Sequence, residues 1–147
     1  MKSIFEKDSH AELLARMEKL TASTPAEWGK MNVNQMLSHC SVPPEVATGR
    51  REMKKEGNFL FRLLFKKSLY NDTPYRKNLP TAKSFLDPPS AGFDAEKQRL
   101  LLLINTVHAK GSNHTWPEHP AFGSFTAEQW GKSFYKHLDH HFRQFGV

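Results

Sequence analysis

The chain has 147 residues, 38% hydrophobic, 24% charged and 12% aromatic, with eleven Phe and three Trp, a size and make-up that support one domain with a single core and exclude a disordered chain. The formal net charge is +6, and the excess is local: positions 50 to 83 hold ten Lys/Arg against three acids, a balance of +7 that leaves −1 for the rest. One cysteine, Cys40, excludes an internal disulfide framework and suits a reducing compartment.

The first residues, Met1 to Asp8, include acids and no continuous apolar run, so no secretory leader is expected. No stretch approaches the roughly 18 apolar residues that span a bilayer, and a cytoplasmic location follows as the expectation. Ser9-His10-Ala11-Glu12 reads as a capping box opening a first helix, with Leu13, Leu14, Met17 and Leu20 at helical spacing. Thr24-Pro25-Ala26-Glu27 reads as a second box whose helix Gly29 stops after one turn. Asn32-Val33-Asn34-Gln35 opens the next helix through Met36, Leu37 and Cys40, and Pro43-Pro44 is expected to kink or end it.

The basic segment follows. Phe59 to Leu69 is apolar enough for a short helix, whereas Asn71 to Ser90, with Pro74, Pro80, Pro88 and Pro89, reads as an extended loop. A third long helix starts near Asp94, runs through Leu100 to Ile104 and Val107 towards Gly111, and is apolar nearly all round, which predicts the deepest burial. A loop with Trp116, Pro117, Pro120 and Gly123 leads to Thr126-Ala127-Glu128-Gln129, a further capping box, and to a last helix ended by Gly146. Four long helices with long connections and one short extra helix describe an all-α four-helix bundle in a single domain, 1–147.

On the last helix, at about 100° per residue, Ala127, Trp130, Phe134, Leu138 and Phe145 form the core stripe. His137 and His141 fall on its edge, one turn apart, while Lys132, Lys136, Asp139 and Arg143 take the opposite face and His140 the flank. Two imidazoles at i and i+4 can share one metal ion, and burying them without a partner would cost about 1 to 3 kcal/mol per unsatisfied nitrogen. A further ligand is needed; His39, on the shoulder of the second long helix, and His108, late in the third, are the candidates. His10, His114 and His119 sit near helix starts or in loops and take no role.

Two stretches carry a resemblance: Trp28-Gly29-Lys30-Met31-Asn32-Val33-Asn34-Gln35-Met36-Leu37-Ser38-His39-Cys40, and the terminal Tyr135-Lys136-His137-Leu138-Asp139-His140-His141-Phe142-Arg143-Gln144-Phe145-Gly146. Together they resemble the DinB/YfiT-like superfamily of four-helix bundles. The resemblance implies a three-histidine site for a divalent metal, Zn²⁺ or Ni²⁺, on His39, His137 and His141, with water or a substrate thiolate in the remaining positions. It implies thiol-dependent transferase or hydrolase chemistry on a small-molecule substrate, a thiol or an anionic compound, and pairing as a homodimer. Tyr135 and His140 are candidate helpers. The rival reading is a non-enzymatic bundle that binds a protein or small-molecule partner and keeps its histidines as structural groups.

Cys40 lies on the core stripe and reads as an inert thiol rather than a nucleophile. No phosphate-binding loop, dinucleotide fingerprint or serine nucleophile elbow is present. The basic segment interleaves with Phe59, Phe61, Phe65, Tyr70 and Tyr75, and reads first as a solvated face and next as a positive rim that gathers anions. Nucleic-acid binding ranks below both readings, and a membrane-surface role for 59–67 has weaker support still.

Overall fold

Two of the four predicted capping boxes form as expected in the computed structural model, and they set the starts of the two helices that matter most. The structure describes residues 1–54, 59–80 and 88–147, apart from the side chains of Phe59 and Phe61. Its elements are α1 (Lys7–Glu18), α2 (Val33–Ala47), α3 (Phe59–Phe65), a 3₁₀ turn (Lys66–Leu69), α4 (Phe93–Lys110) and α5 (Ala127–Gln144). Lys55, Glu56 and Lys83, which the charge count of positions 50 to 83 includes, and the side chains of Phe59 and Phe61 lie outside the described residues. No helix among the described residues is long and apolar enough to cross a membrane.

Asn32 caps α2: its side chain accepts from Gln35 N at 2.9 Å, and Gln35 Oε1 accepts from Asn32 N at 2.9 Å. Thr126 and Gln129 do the same for α5. The other two boxes are not made. α1 starts earlier, with Glu6 at its N-cap, and Ser9 donates to Glu6 Oε2 at 2.8 Å instead of capping. No helix forms over 24–29; the Thr24 hydroxyl accepts from Thr21 N within a local turn.

Pro43-Pro44 does not end α2, which carries both prolines and runs on to Ala47. Each proline removes one amide donor, but packing keeps the turn helical. Ten of the fifteen α2 residues are buried, α2 packs more extensively on α4 than any other helix pair packs, and Arg99 of α4 grips Glu45 just beyond the prolines. α2, rather than α4, is therefore the most enclosed helix. On α4 only one face is covered, by Leu100, Leu103, Ile104 and Val107, whereas Leu102 is 55% exposed.

Every element among the described residues is helical. α2 and α5 pack together, α1 closes against α5 and α4, and Leu13, Met17, Met36, Leu37, Trp130 and Phe142 interdigitate at the centre. The N-terminal segment crosses α5 where it has no side chain: a Cβ on Gly131 would lie 2.3 Å from Ser3 Oγ, and Ile4 N donates to Gly131 O at 3.1 Å. Lys136, expected on the solvent face, is buried. Its ammonium donates to Asn71 Oδ1 at 2.7 Å and to the Asn71 and Ser68 carbonyls, and it stands 4.5 Å from the Tyr75 ring centre. That lysine pins the chain after α3 across α5, beside the histidines.

Candidate metal centre

α2 and α5 bring His39, His137 and His141 together, with one ring nitrogen from each lying within 4.8 Å of the other two. The ring centres form a near-equilateral triangle with sides of 4.9, 4.7 and 4.8 Å, and the planes stand 68°, 74° and 83° to one another. His137 Nε2 and His39 Nε2 are 3.0 Å apart. The shoulder position of His39 becomes an inward one because α2 is covered on nearly every side. His39 and His141 are buried, and His137 is half-buried.

His141 is held from behind. Its Nδ1 lies 2.8 Å from Gln144 Oε1, while Gln144 Nε2 donates to Trp28 O at 2.8 Å. The carboxamide orientation is fixed by its partners, since the Trp28 carbonyl needs a donor. Nδ1 of His141 therefore carries the proton, and its Nε2 lone pair is left for a cation, the arrangement that orients many metal-binding histidines. Gly29 makes this approach feasible: it has φ +84°, and a Cβ there would come within 2.6 Å of Gln144 Nε2. Replacing Gln144 with methionine, which keeps the bulk and loses both hydrogen bonds, is expected to weaken divalent-metal affinity by about 10- to 100-fold. Competition with a chromophoric chelator measures this, and unchanged affinity would remove Gln144 from the site.

Burial holds His137 well below the usual imidazole range, assisted by repulsion from His141 and His39. Burial likewise pushes His141 down to about 3. Burial and mutual repulsion act against the charged form and at His141 outweigh the Gln144 hydrogen bond, which favours it; the neutral ring is the form that ligates a metal. Three imidazole nitrogens this close together could hold a metal ion.

Two cavities meet at the triad. The larger, about 630 Å³, is lined by Trp28, Lys30, Met31, Asn78 and Leu79 among others; the smaller, about 250 Å³, by Tyr75, His119, Phe122, Phe134 and His137 among others. His39, His140 and His141 border both. His140, expected at the flank, sits with its ring edge-on to Trp28, Tyr75 and His141.

The other histidines are placed elsewhere or used differently. His108, the rival ligand, stacks on His10 at 3.9 Å, and its Nδ1 donates to Ile4 O at 2.8 Å, which takes it out of the triad. Tyr135 donates its hydroxyl to Glu12 at 3.0 Å and borders neither cavity. Cys40 is fully buried, its thiol pushed up by burial and 3.6 Å from Met36 Sδ, as an inert thiol requires.

His119 and Gln144 are the residues that helical phase missed. His119 stacks on Trp130 and Phe125, its Nδ1 accepts from Ala121 N at 3.2 Å, and burial pushes its pKa to about 4. The only sequence signal for His119 was the aromatic density of its loop; for Gln144 it was a position three residues beyond His141 on the same helical face.

These shifts set a sign for stability. An unfolded histidine binds its proton near pH 6.5, whereas His119 in the fold does so only near 4, so the unfolded chain binds more protons between those values. The contribution of His119 is complete above about pH 6.5 and is lost as pH falls towards 4, at about 1.4 kcal/mol per unit of depression. His137 and His141 act in the same direction. Urea unfolding of metal-free protein is expected to show stability falling steadily from pH 7 to pH 4.5; a flat profile would contradict this assignment.

Residues 5–146 match the family described as protein of unknown function (DUF1569). The chain belongs to that family. Curated proteins and solved structures give no match to it. In this DUF1569 chain the matched span takes in the whole triad, Gln144 and both cavities.

Proposed function

We propose that this chain is a cytoplasmic metal-dependent enzyme, a four-helix bundle of the DinB/YfiT-like kind that holds Zn²⁺ or Ni²⁺ on His39, His137 and His141. It acts on a small molecule by thiol-dependent transfer or by hydrolysis, and the same likeness suggests that it works as a homodimer. One observation carries the reading: three imidazole ring nitrogens from two helices converge within 4.8 Å at the meeting point of two cavities. A fully enclosed structural site would leave no space for a substrate, whereas this triad borders cavities of a size that suits small molecules.

A divalent ion held there would polarise a substrate carbonyl and lower the pKa of a bound water or thiol. The protein does the rest. Gln144 fixes the His141 tautomer, Phe134 and Phe122 present apolar walls, and neutral His119 keeps its proton on Nε2, available for donation to a substrate in the smaller cavity. A non-enzymatic reading draws on the 3.0 Å contact between His39 and His137, which a metal-free pair sharing one proton would also make.

Elemental analysis of tag-free protein, dialysed after exposure to Zn²⁺ or Ni²⁺, separates the two. About one ion per chain supports the metal reading; retention far below that favours the non-enzymatic one. Turnover of a small thiol with an electrophile, or of an ester, above the metal-free rate then distinguishes the chemistries.

A further inference from the structure

We infer that the site is built for an organic anion: the ligand brings a negatively charged donor group to the ion and carries an apolar body. This rests on the three-histidine metal reading and goes further by naming the class of ligand.

The inference starts from charge. Three neutral imidazoles add nothing to a divalent cation, so the loaded centre keeps both positive charges in a partly buried place, where uncompensated charge is costly. Protein sites commonly offset such charge with a carboxylate. Here, among the described residues, neither cavity is lined by Asp or Glu. The one acid between the two α5 histidines in sequence, Asp139, is turned away, with its carboxylate 2.8 Å from Arg16 Nη1 and 3.0 Å from Arg143 Nη2. Glu12 likewise faces Tyr135 and Lys2 rather than the triad. Among the described residues, then, no carboxylate supplies the neutralising charge, and an anionic ligand can.

The walls favour the same ligand. Lys30 is the charged residue among the described lining of the larger cavity, and the Lys77 ammonium stands 4.1 Å from the Trp28 ring centre at its border. Both oppose a cationic ligand and attract an anion. Apolar side chains line part of both: Trp28, Met31 and Leu79 in the larger cavity, Leu69, Phe122 and Phe134 in the smaller. A bare inorganic anion would use the ion and leave those side chains uncovered. An organic anion uses both.

Co²⁺-loaded protein tests this, because its visible spectrum reports a change of ligands at the ion. The bound Co²⁺ is first counted, and the protein is then titrated at constant ionic strength with phenylacetate, acetate and the uncharged phenylacetamide. Phenylacetate is expected to alter the spectrum with a 1:1 isotherm, and to bind at least about tenfold more tightly than either comparator. Lys30→Ala/Lys77→Ala is expected to weaken phenylacetate several-fold at low salt and less at high salt. Equal affinity for phenylacetamide, or equal binding of phenylacetate by metal-free protein, overturns the anion inference and leaves the metal reading standing. Equal affinity for acetate overturns the apolar body. A chain that retains no Co²⁺ overturns the metal reading itself, and this inference with it.

Discussion

Replacing His137 with alanine is expected to abolish stoichiometric metal retention, with a loss of affinity beyond the roughly 10- to 100-fold typical of removing an outer hydrogen-bond partner. The side chain supplies one of three converging nitrogens, and it stands 3.0 Å from that of His39. Its removal leaves two donors on different helices with no third to close the set. Thermal unfolding gives an independent readout. Metal at 100 times its dissociation constant stabilises the native state by about 2.7 kcal/mol, so wild type should gain several degrees on loading, whereas His137→Ala should gain little at the same concentration. A variant that keeps one ion per chain with wild-type affinity would exclude the three-histidine centre.

Arg99→Met is expected to be the most destabilising single change at a charged residue, at about 3 to 5 kcal/mol in urea unfolding. The Arg99 guanidinium makes two 2.7 Å hydrogen bonds to the Glu45 carboxylate and a third, at 3.0 Å, to Glu96 Oε2. Glu96 is 1% exposed, and its other oxygen accepts from Ser90 N at 3.0 Å. Without Arg99, Glu96 would remain buried with no ion-pair partner among the described residues, while Glu45 would keep Arg51 at 3.8 Å. The double change Glu96→Gln/Arg99→Met removes the stranded charge and should recover part of the loss. A single variant less than about 1 kcal/mol below wild type would show the cluster to be dispensable. The cluster also bears on the metal centre: it fastens α2 beyond Pro43-Pro44, and that helix carries His39.

Local signals in the sequence were reliable where the physics is local. The boxes at Asn32 and Thr126 form because each needs only a side chain and an amide three residues apart, and the positive-φ glycines Gly111 and Gly146 follow the ends of α4 and α5 as expected. The same signal misled at Ser9 and Thr24. At Ser9 a neighbouring carboxylate, Glu6, took the hydroxyl, and at Thr24 no apolar stripe followed to support a helix. Helical phase placed His137 and His141 together, yet it put Lys136 in solvent; the chain after α3 folds over that face and supplies carbonyls to its ammonium.

The sequence by itself determined the helical class, the periodic core of α5 and the pairing of two imidazoles one turn apart, because each depends on contacts within a few residues. Tertiary structure decided the rest. It kept α2 helical through two prolines, since packing on α4 and the grip of Arg99 outweigh two missing hydrogen bonds. It also sent His108 to stack on His10, placed buried His119 beside the smaller cavity, and set Gln144 behind His141. Those contacts join residues far apart in the chain, or turn on which neighbour competes for a side chain. Such competition is settled only when the helices and their connections are packed together.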